Sequence, residues 1–220
     1  MMSLSLLCGC SIIECPDTYI IREFTEYIRQ PDGITCGPAC ADMVLRFYGR
    51  SVPFGAIEDD VLTSAQYRGE RIGFSTPGGV ASGLRRNGVT CKVTRGSLRY
   101  LRRQVSMDRP CVALLRSGRD MWHWVVVVGY TREGFWLADP FTGRREWISS
   151  ENMDSSWGFK RDMDGEMVAS RCFWCGGTGK KFYLPCDVCL GGGLVDSYRS
   201  ALRTAGIHSY TIVVPTATPR

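Results

Sequence analysis

The chain has 220 residues, of which 44% are hydrophobic and 22% charged, with a formal net charge of +5. That length holds one substantial domain plus a small appendage, and the composition excludes a disordered, fibrous or membrane-spanning chain; no stretch approaches the ~18 apolar residues of a membrane span. The charge is too mild to specify a nucleic-acid partner. Its local source is partly Arg95–Arg109 (RGSLRYLRRQVSMDR), which reads as a solvated helix or loop face with only non-specific attraction for anions.

Residues 1–20 form an apolar, Cys-rich lead-in (MMSLSLLCGCSIIEC onward). Leu7-Cys8-Gly9-Cys10 has the outline of a lipoprotein cleavage box. No Lys or Arg precedes it, however, and the apolar run is only about seven residues, at the bottom of the range for a signal segment. A cytoplasmic location is expected, with lipoprotein export as the alternative. From Cys36 to Tyr48, Ala39, Met43, Val44 and Phe47 recur at three- and four-residue steps, so a helix is predicted with Pro38 in its first turn and Gly49 as its stop. A second helical stretch is expected over Ala56–Gln66, ending near Gly69. A short helix follows over Val80–Arg86, stopped by Asn87-Gly88, then a strand. Arg95–Val105 is again helical in character, and Asp108-Arg109-Pro110 ends it.

The pattern then changes to strands. Pro110–Leu115 reads as a short buried strand, Trp122–Tyr130 (WHWVVVVGY) as a β-branched and aromatic one, and Phe135–Ala138 as a third beyond the turn Arg132-Glu133-Gly134. Helices first and strands later give an α+β fold, with helices packed on an antiparallel sheet. Ser170–Val195 is Gly- and Cys-rich, and Tyr210–Val214 resembles a final sheet strand. The expected organisation is therefore a lead-in (1–20), a main domain (21–169), a Cys-rich insertion (170–195), and a return to the main domain with a tail (196–220).

The 11 cysteines are unevenly placed: two CxxC pairs, three near the start, and four isolated. An odd count with CxxC pairs argues for metal binding and thiol chemistry in a reducing compartment rather than a disulfide framework. Cys36 stands at the mouth of the first helix, where unpaired N–H groups and the helix dipole favour negative charge. Its own N–H offers one oxyanion donor, and Gln30, six residues upstream on an irregular approach, offers a second. With only two histidines, His123 and His208, the base has two candidates. His123 lies at the start of a strand, and His208 reads as a strand-edge residue. If the Phe135–Ala138 strand pairs with the His123 strand, Asp139 returns level with His123 and can orient its imidazole through Nδ1. Cys40, one helical turn beyond Cys36, reads as a small core residue, with a resolving thiol as the alternative.

Together, QPDGITCGPAC, HWVVVVGY and FWLADPFTG resemble the papain-like cysteine peptidases of the bacteriocin-processing, double-glycine-leader type, over roughly Glu23–Trp157. The resemblance implies a papain-like α+β fold, with Gln30 in the oxyanion hole, Cys36 as nucleophile, His123 as general base and Asp139 orienting it. The founding members sit at the front of exporting transporters, and this sequence shows no membrane or ATP-binding part, so its substrate need not be a double-glycine leader.

Cys172-x-x-Cys175-x-Gly-x-Gly and Cys186-x-x-Cys189-x-Gly-x-Gly repeat one motif with ten residues between the pairs. Four thiolates so arranged suit one structural Zn²⁺, and the glycines let backbone N–H groups approach the sulfurs. The repeat is similar to half of a DnaJ-type zinc-finger region, which implies docking of a polypeptide substrate or partner; a structural staple for a small insertion is the plainer reading. The activity expected is hydrolysis of peptide or isopeptide bonds through an acyl-enzyme. A catalytically silent, zinc-stabilised protein-binding module, or an acyl-transfer or deamidating variant of the same site, are the alternatives. No specific nucleic acid and no catalytic cofactor are expected.

Overall fold

The computed structural model describes residues 15–67, 70–116, 122–158 and 210–217, with the backbone of four two-residue strands between the last two segments. In chain order the elements are β1 (Tyr19–Ile20), α1 (Cys36–Phe47), α2 (Phe54–Val61), β2 (Leu62–Tyr67), β3 (Glu70–Ser75), α3 (Pro77–Arg86), β4 (Cys91–Arg95), α4 (Leu98–Val105), β5 (Cys111–Arg116), β6 (Trp122–Tyr130), β7 (Gly134–Asp139), β8 (Arg144–Ser149), α5 (Ser150–Gly158), β9 (Ser170–Arg171), β10 (Lys180–Lys181), β11 (Leu184–Pro185), β12 (Leu194–Val195) and β13 (Thr211–Pro215). The main sheet runs β4-β13-β5-β6-β7-β8, antiparallel throughout, and β1 pairs with the far end of β6 at Gly129 and Tyr130. The sheet thus takes in the last two residues of the lead-in.

Local chemistry explains the helix boundaries. Thr76 caps α3 by accepting the Gly79 N–H at 3.0 Å, Pro77 opens it, and Gly88, at φ +84°, turns the chain out of it. Ser97 caps α4 in the same way through the Tyr100 N–H at 3.1 Å. Of the α1 positions predicted to face inward, Ala39, Met43 and Val44 are wholly buried, Met43 and Val44 pack with valines of β6 in the same core, and Phe47 is half-buried against it. Burial of each such side chain contributes roughly 1.5–3 kcal/mol, which is what holds this helix on the sheet.

The structure departs from the sequence reading at α2, β2 and β3, and at two further elements. The second helix stops at Val61, not Gln66, and Leu62–Ser75 forms the β2–β3 hairpin. Thr63, Tyr67, Ile72 and Phe74 have strand propensity, which lost in the sequence reading to a helical pattern extended too far. The other two, β8 and α5, were not anticipated. β8 (RREWIS) has neither clean alternation nor a hydrophobic run, because it is an edge strand with much of its length in solvent.

Helix α5 ends at Gly158, and the main sheet takes up the chain again from Tyr210 into β13. The two ends are held together, with the Tyr210 N–H donating to the Trp157 carbonyl at 2.9 Å and the Trp157 indole donating to the Thr211 carbonyl at 2.8 Å. Between them in sequence, β9–β12 and β10–β11 are antiparallel ladders on one common register: Arg171 pairs with Leu194, and Lys180 with Pro185. Cys172, Cys175, Cys186 and Cys189 lie outside the described residues, as does His208.

Candidate active site

Asp32 organises the approach to α1. Its carboxylate accepts the Ile34 N–H at 3.0 Å and the Thr35 hydroxyl at 2.7 Å. Thr35 is fully buried, and with its hydroxyl committed to Asp32 it makes no side-chain cap on α1, whose first turn also carries no acid. The positive end of the helix is therefore left to Cys36, the first helical residue. Gly37 is required by packing: a Cβ there would lie 2.4 Å from Ser75 Oγ and 3.4 Å from the Trp124 ring. Its absence lets the Cys36 end of α1 close against β3 and β6, where the Trp124 indole donates to the Ser75 carbonyl at 3.1 Å.

His123 and Asp139 meet across the β6–β7 hairpin, with His123 Nε2 2.6 Å from Asp139 Oδ1 and the two side chains 17% and 20% exposed. A β-bulge makes this possible. Tyr130 pairs with Phe135 and Gly129 with Trp136, but the register then shifts, so that Val127 pairs with Leu137 and Val126 with Ala138. An unbroken ladder from Tyr130 would set Asp139 across from Val126, whose side chain points away from the His123 face. The extra residue puts Asp139 across from Val125 instead, on the His123 face and diagonal to it, within reach of a side-chain pair. Two details of the sequence reading change. Asp139 is diagonal to His123 rather than level with it, and it engages Nε2 rather than Nδ1, while Cys36 lies close enough to the same ring to raise its basicity.

The electrostatics follow from these contacts. Burial opposes charge on His123, but hydrogen bonds to Asp139 and Cys36, with the negative charge of both, outweigh it and push the imidazole up to about 9. Burial would lift the Asp139 carboxyl. The His123 hydrogen bond and charge, with N–H donation from Phe141 and Thr142, outweigh that and hold it below its ordinary value. The Phe141 N–H reaches Asp139 Oδ1 at 2.8 Å, and the Gly143 N–H closes the same turn on the Asp139 carbonyl at 2.8 Å. These donors escaped the sequence reading, although an Asp opening the turn DPFTG is the signal that finds them.

Gln30 is brought to this turn by its backbone: its N–H donates to the Pro140 carbonyl at 2.7 Å. Its side-chain amide donates to the Asp32 carbonyl, and its Oε1 is buried with no partner among the described residues. Gln30, Cys36, His123 and Asp139, distant in sequence, thus converge on one end of β6 and β7. Cys40 does not join them. It is wholly buried, and burial first, then the charges of Cys36 and Asp139, push its thiol well above the ordinary range, as suits a core residue. Among the described residues, no group of three or more His, Cys, Asp or Glu side chains is arranged to hold a metal ion, and no helix is long and apolar enough to cross a membrane.

This arrangement has parallels in known proteins. Residues 25–160 match the model of the peptidase C39 family. No curated protein sequence matches the chain. Among solved structures, a putative C39-like peptidase from Bacillus anthracis shares the fold at a TM-score of 0.51 and 11% identity, over 91% of this chain and 98% of that one. A double glycine motif protease from an AMS/PCAT transporter, solved in complex with the leader peptide, is 25% identical over 59% of this chain and 82% of that one, at a TM-score of 0.45. The peptidase domain of Streptococcus ComA, a bifunctional ABC transporter involved in a quorum-sensing pathway, is 17% identical over 60% and 90%, at a TM-score of 0.48. The family match spans well over half of the chain and encloses the whole convergence of Gln30, Cys36, His123 and Asp139, so the chain belongs to the peptidase C39 family of cysteine peptidases.

Proposed function

We propose that the chain hydrolyses peptide bonds in a polypeptide substrate through an acyl-enzyme on Cys36. The observation that carries this reading is the His123 imidazole held between Asp139, at 2.6 Å, and Cys36 at the positive end of α1. The Cys36 thiolate attacks the scissile carbonyl carbon, and the C=O electron pair moves onto oxygen. The Cys36 N–H, unpaired at the helix start, and the second N–H of the Gln30 amide are the donors for that oxyanion. As the tetrahedral intermediate collapses, the C–N bond breaks and the His123 imidazolium delivers its proton to the leaving amine.

The charge relationships make the second half follow from the first. Cys36 contributes to holding His123 protonated, and acylation removes that negative charge. The ring, having given up its proton, then serves as the base that takes a proton from water attacking the thioester carbon; the C–S bond breaks, releasing the carboxylic product and restoring the Cys36 thiolate beside the reprotonated imidazole. Asp139 keeps the ring oriented through both steps. Peptide turnover tests this: Cys36→Ala should abolish it, and unchanged peptide cleavage in that variant would remove the nucleophile from the account.

We also propose that Cys172, Cys175, Cys186 and Cys189 bind one structural Zn²⁺ in an inserted unit separate from the main domain. The two ladders support this reading, because they flank segments 172–179 and 186–193, of equal length and each opening on a CxxC. A tetrathiolate would stabilise a unit too small for a core of its own. Purified protein should carry one zinc per chain, and a metal content far below that would overturn the assignment.

A further inference from the structure

From the turn beyond Asp139, we propose that Phe141 is a specificity-determining residue, forming an apolar platform for the substrate residue on the leaving-group side of the scissile bond. The proposal rests on the reading of Cys36 and His123 given above and adds what that site selects. Phe141 is 69% exposed, more than Phe74, Trp147 or Val93, the other large exposed apolar side chains among the described residues. It is also the one that touches the reacting groups: its ring stands edge-on to the His123 imidazole, with centroids 6.4 Å apart and planes at 89°.

The exposure is built in. The Phe141 N–H is fixed to Asp139, the Gly143 N–H to the Asp139 carbonyl, and the Pro140 carbonyl to the Gln30 N–H. Gly143, at φ +66°, lies so close to Arg29 that a Cβ on it would come within 2.8 Å of the Arg29 Cβ. The pinned backbone holds Phe141 at the rim of the site with its ring displayed in water, an arrangement that burial under a ligand would relieve.

The reaction fixes which side of the substrate meets it. The acyl half is tied to Cys36, with its oxygen directed to the helix mouth. The proton goes from the imidazole to the departing nitrogen, so the chain following the scissile bond has to cross the His123 ring. Phe141 borders that ring. A large apolar side chain just after the cut bond would cover the phenyl face, whereas glycine or serine would leave it wet.

The test is cleavage of a peptide library made from a digested bacterial proteome, with mass spectrometry reading the residue that follows each cut, for wild type, Phe141→Ala and Phe141→Leu, and with Cys36→Ala as background. Wild type should enrich Leu, Ile, Phe and Met over Gly and Ser at that position on the order of tenfold, Phe141→Ala should lose the enrichment, and Phe141→Leu should keep most of it. No enrichment in wild type, or the same enrichment in Phe141→Ala, overturns the proposal while leaving Cys36 as nucleophile. A uniform slowing of all cuts in Phe141→Ala, with a shifted pH profile, also overturns it, since it makes the ring a shield for the His123–Asp139 hydrogen bond. If wild type gives no cleavage beyond the Cys36→Ala background, both this proposal and the hydrolase reading fall together.

Discussion

Cys36 and Cys40 lie one turn apart on the same helix and live in different chemical worlds. Cys40 sits among core side chains, and its thiol is held neutral by burial and by the negative charges of Cys36 and Asp139. Cys36 stands at the helix mouth, partly exposed, on the imidazole that Asp139 supports. Residue type and helix are shared, so the difference comes from place: α1 begins where β6 starts and β7 ends, and only the first thiol meets all three. The rest of the helix is a lever that holds that thiol in position, through a core that excludes water from the second.

The comparison breaks most completely at the ring. His123→Ala should lower peptide turnover by about 10⁴-fold or more, because one group serves as acid and then as base, whereas Cys40→Ala should stay near wild type in turnover per folded molecule. Gln30→Ala should cost on the order of 10²-fold in kcat, the loss typical of one oxyanion donor, with little change in KM. Asp139→Asn keeps the shape and should cost less than His123→Ala, about 10²-fold. It should also shift the pH profile. His123 is held protonated up to about 9 partly by Asp139, so hydrolysis in the wild type should fall as pH rises through about 9, and that alkaline limb should move toward neutrality in Asp139→Asn.

The same contacts predict a stability effect of known sign. The raised His123 value stabilises the fold fully below its unfolded value of about 6.5 and loses that contribution as pH rises through about 9. Asp139, held low, contributes above its unfolded value and loses the contribution as pH falls. Thermal melts of wild type and His123→Ala should therefore converge above about pH 9. The smallest effect expected is at Gly37. Alanine there meets Ser75 and should destabilise by about 1–3 kcal/mol, while an equal substitution at exposed Gly33, with nothing within 4 Å of its Cβ position, should be nearly silent in denaturant titrations.

Much of this site was legible in the sequence. A Pro in the first turn and apolar spacing located the mouth of α1, and a scarce histidine on WHWVVVVGY pointed to the ring that meets Asp139. The hairpin brought Asp139 near by counting alone. The bulge was not legible: Val125–Val128 are four like residues buried on both faces of the sheet, so no alternation marks where one extra residue enters. That bulge nevertheless decides which face Asp139 occupies. The β2–β3 hairpin was hidden for the opposite reason, since LTSAQY continues a helical spacing that only pairing with Glu70–Ser75 overrides.

The central claim is that place makes Cys36 the reactive thiol, and alkylation by iodoacetamide at pH 6, followed by peptide mapping, tests it without a known substrate. Cys36 should react on the order of 10²-fold faster than Cys15, a partly exposed thiol with no imidazole beside it among the described residues, and His123→Ala should erase most of that advantage. Equal labelling of Cys36 and Cys15 in wild type, or an advantage that survives His123→Ala intact, would contradict the account.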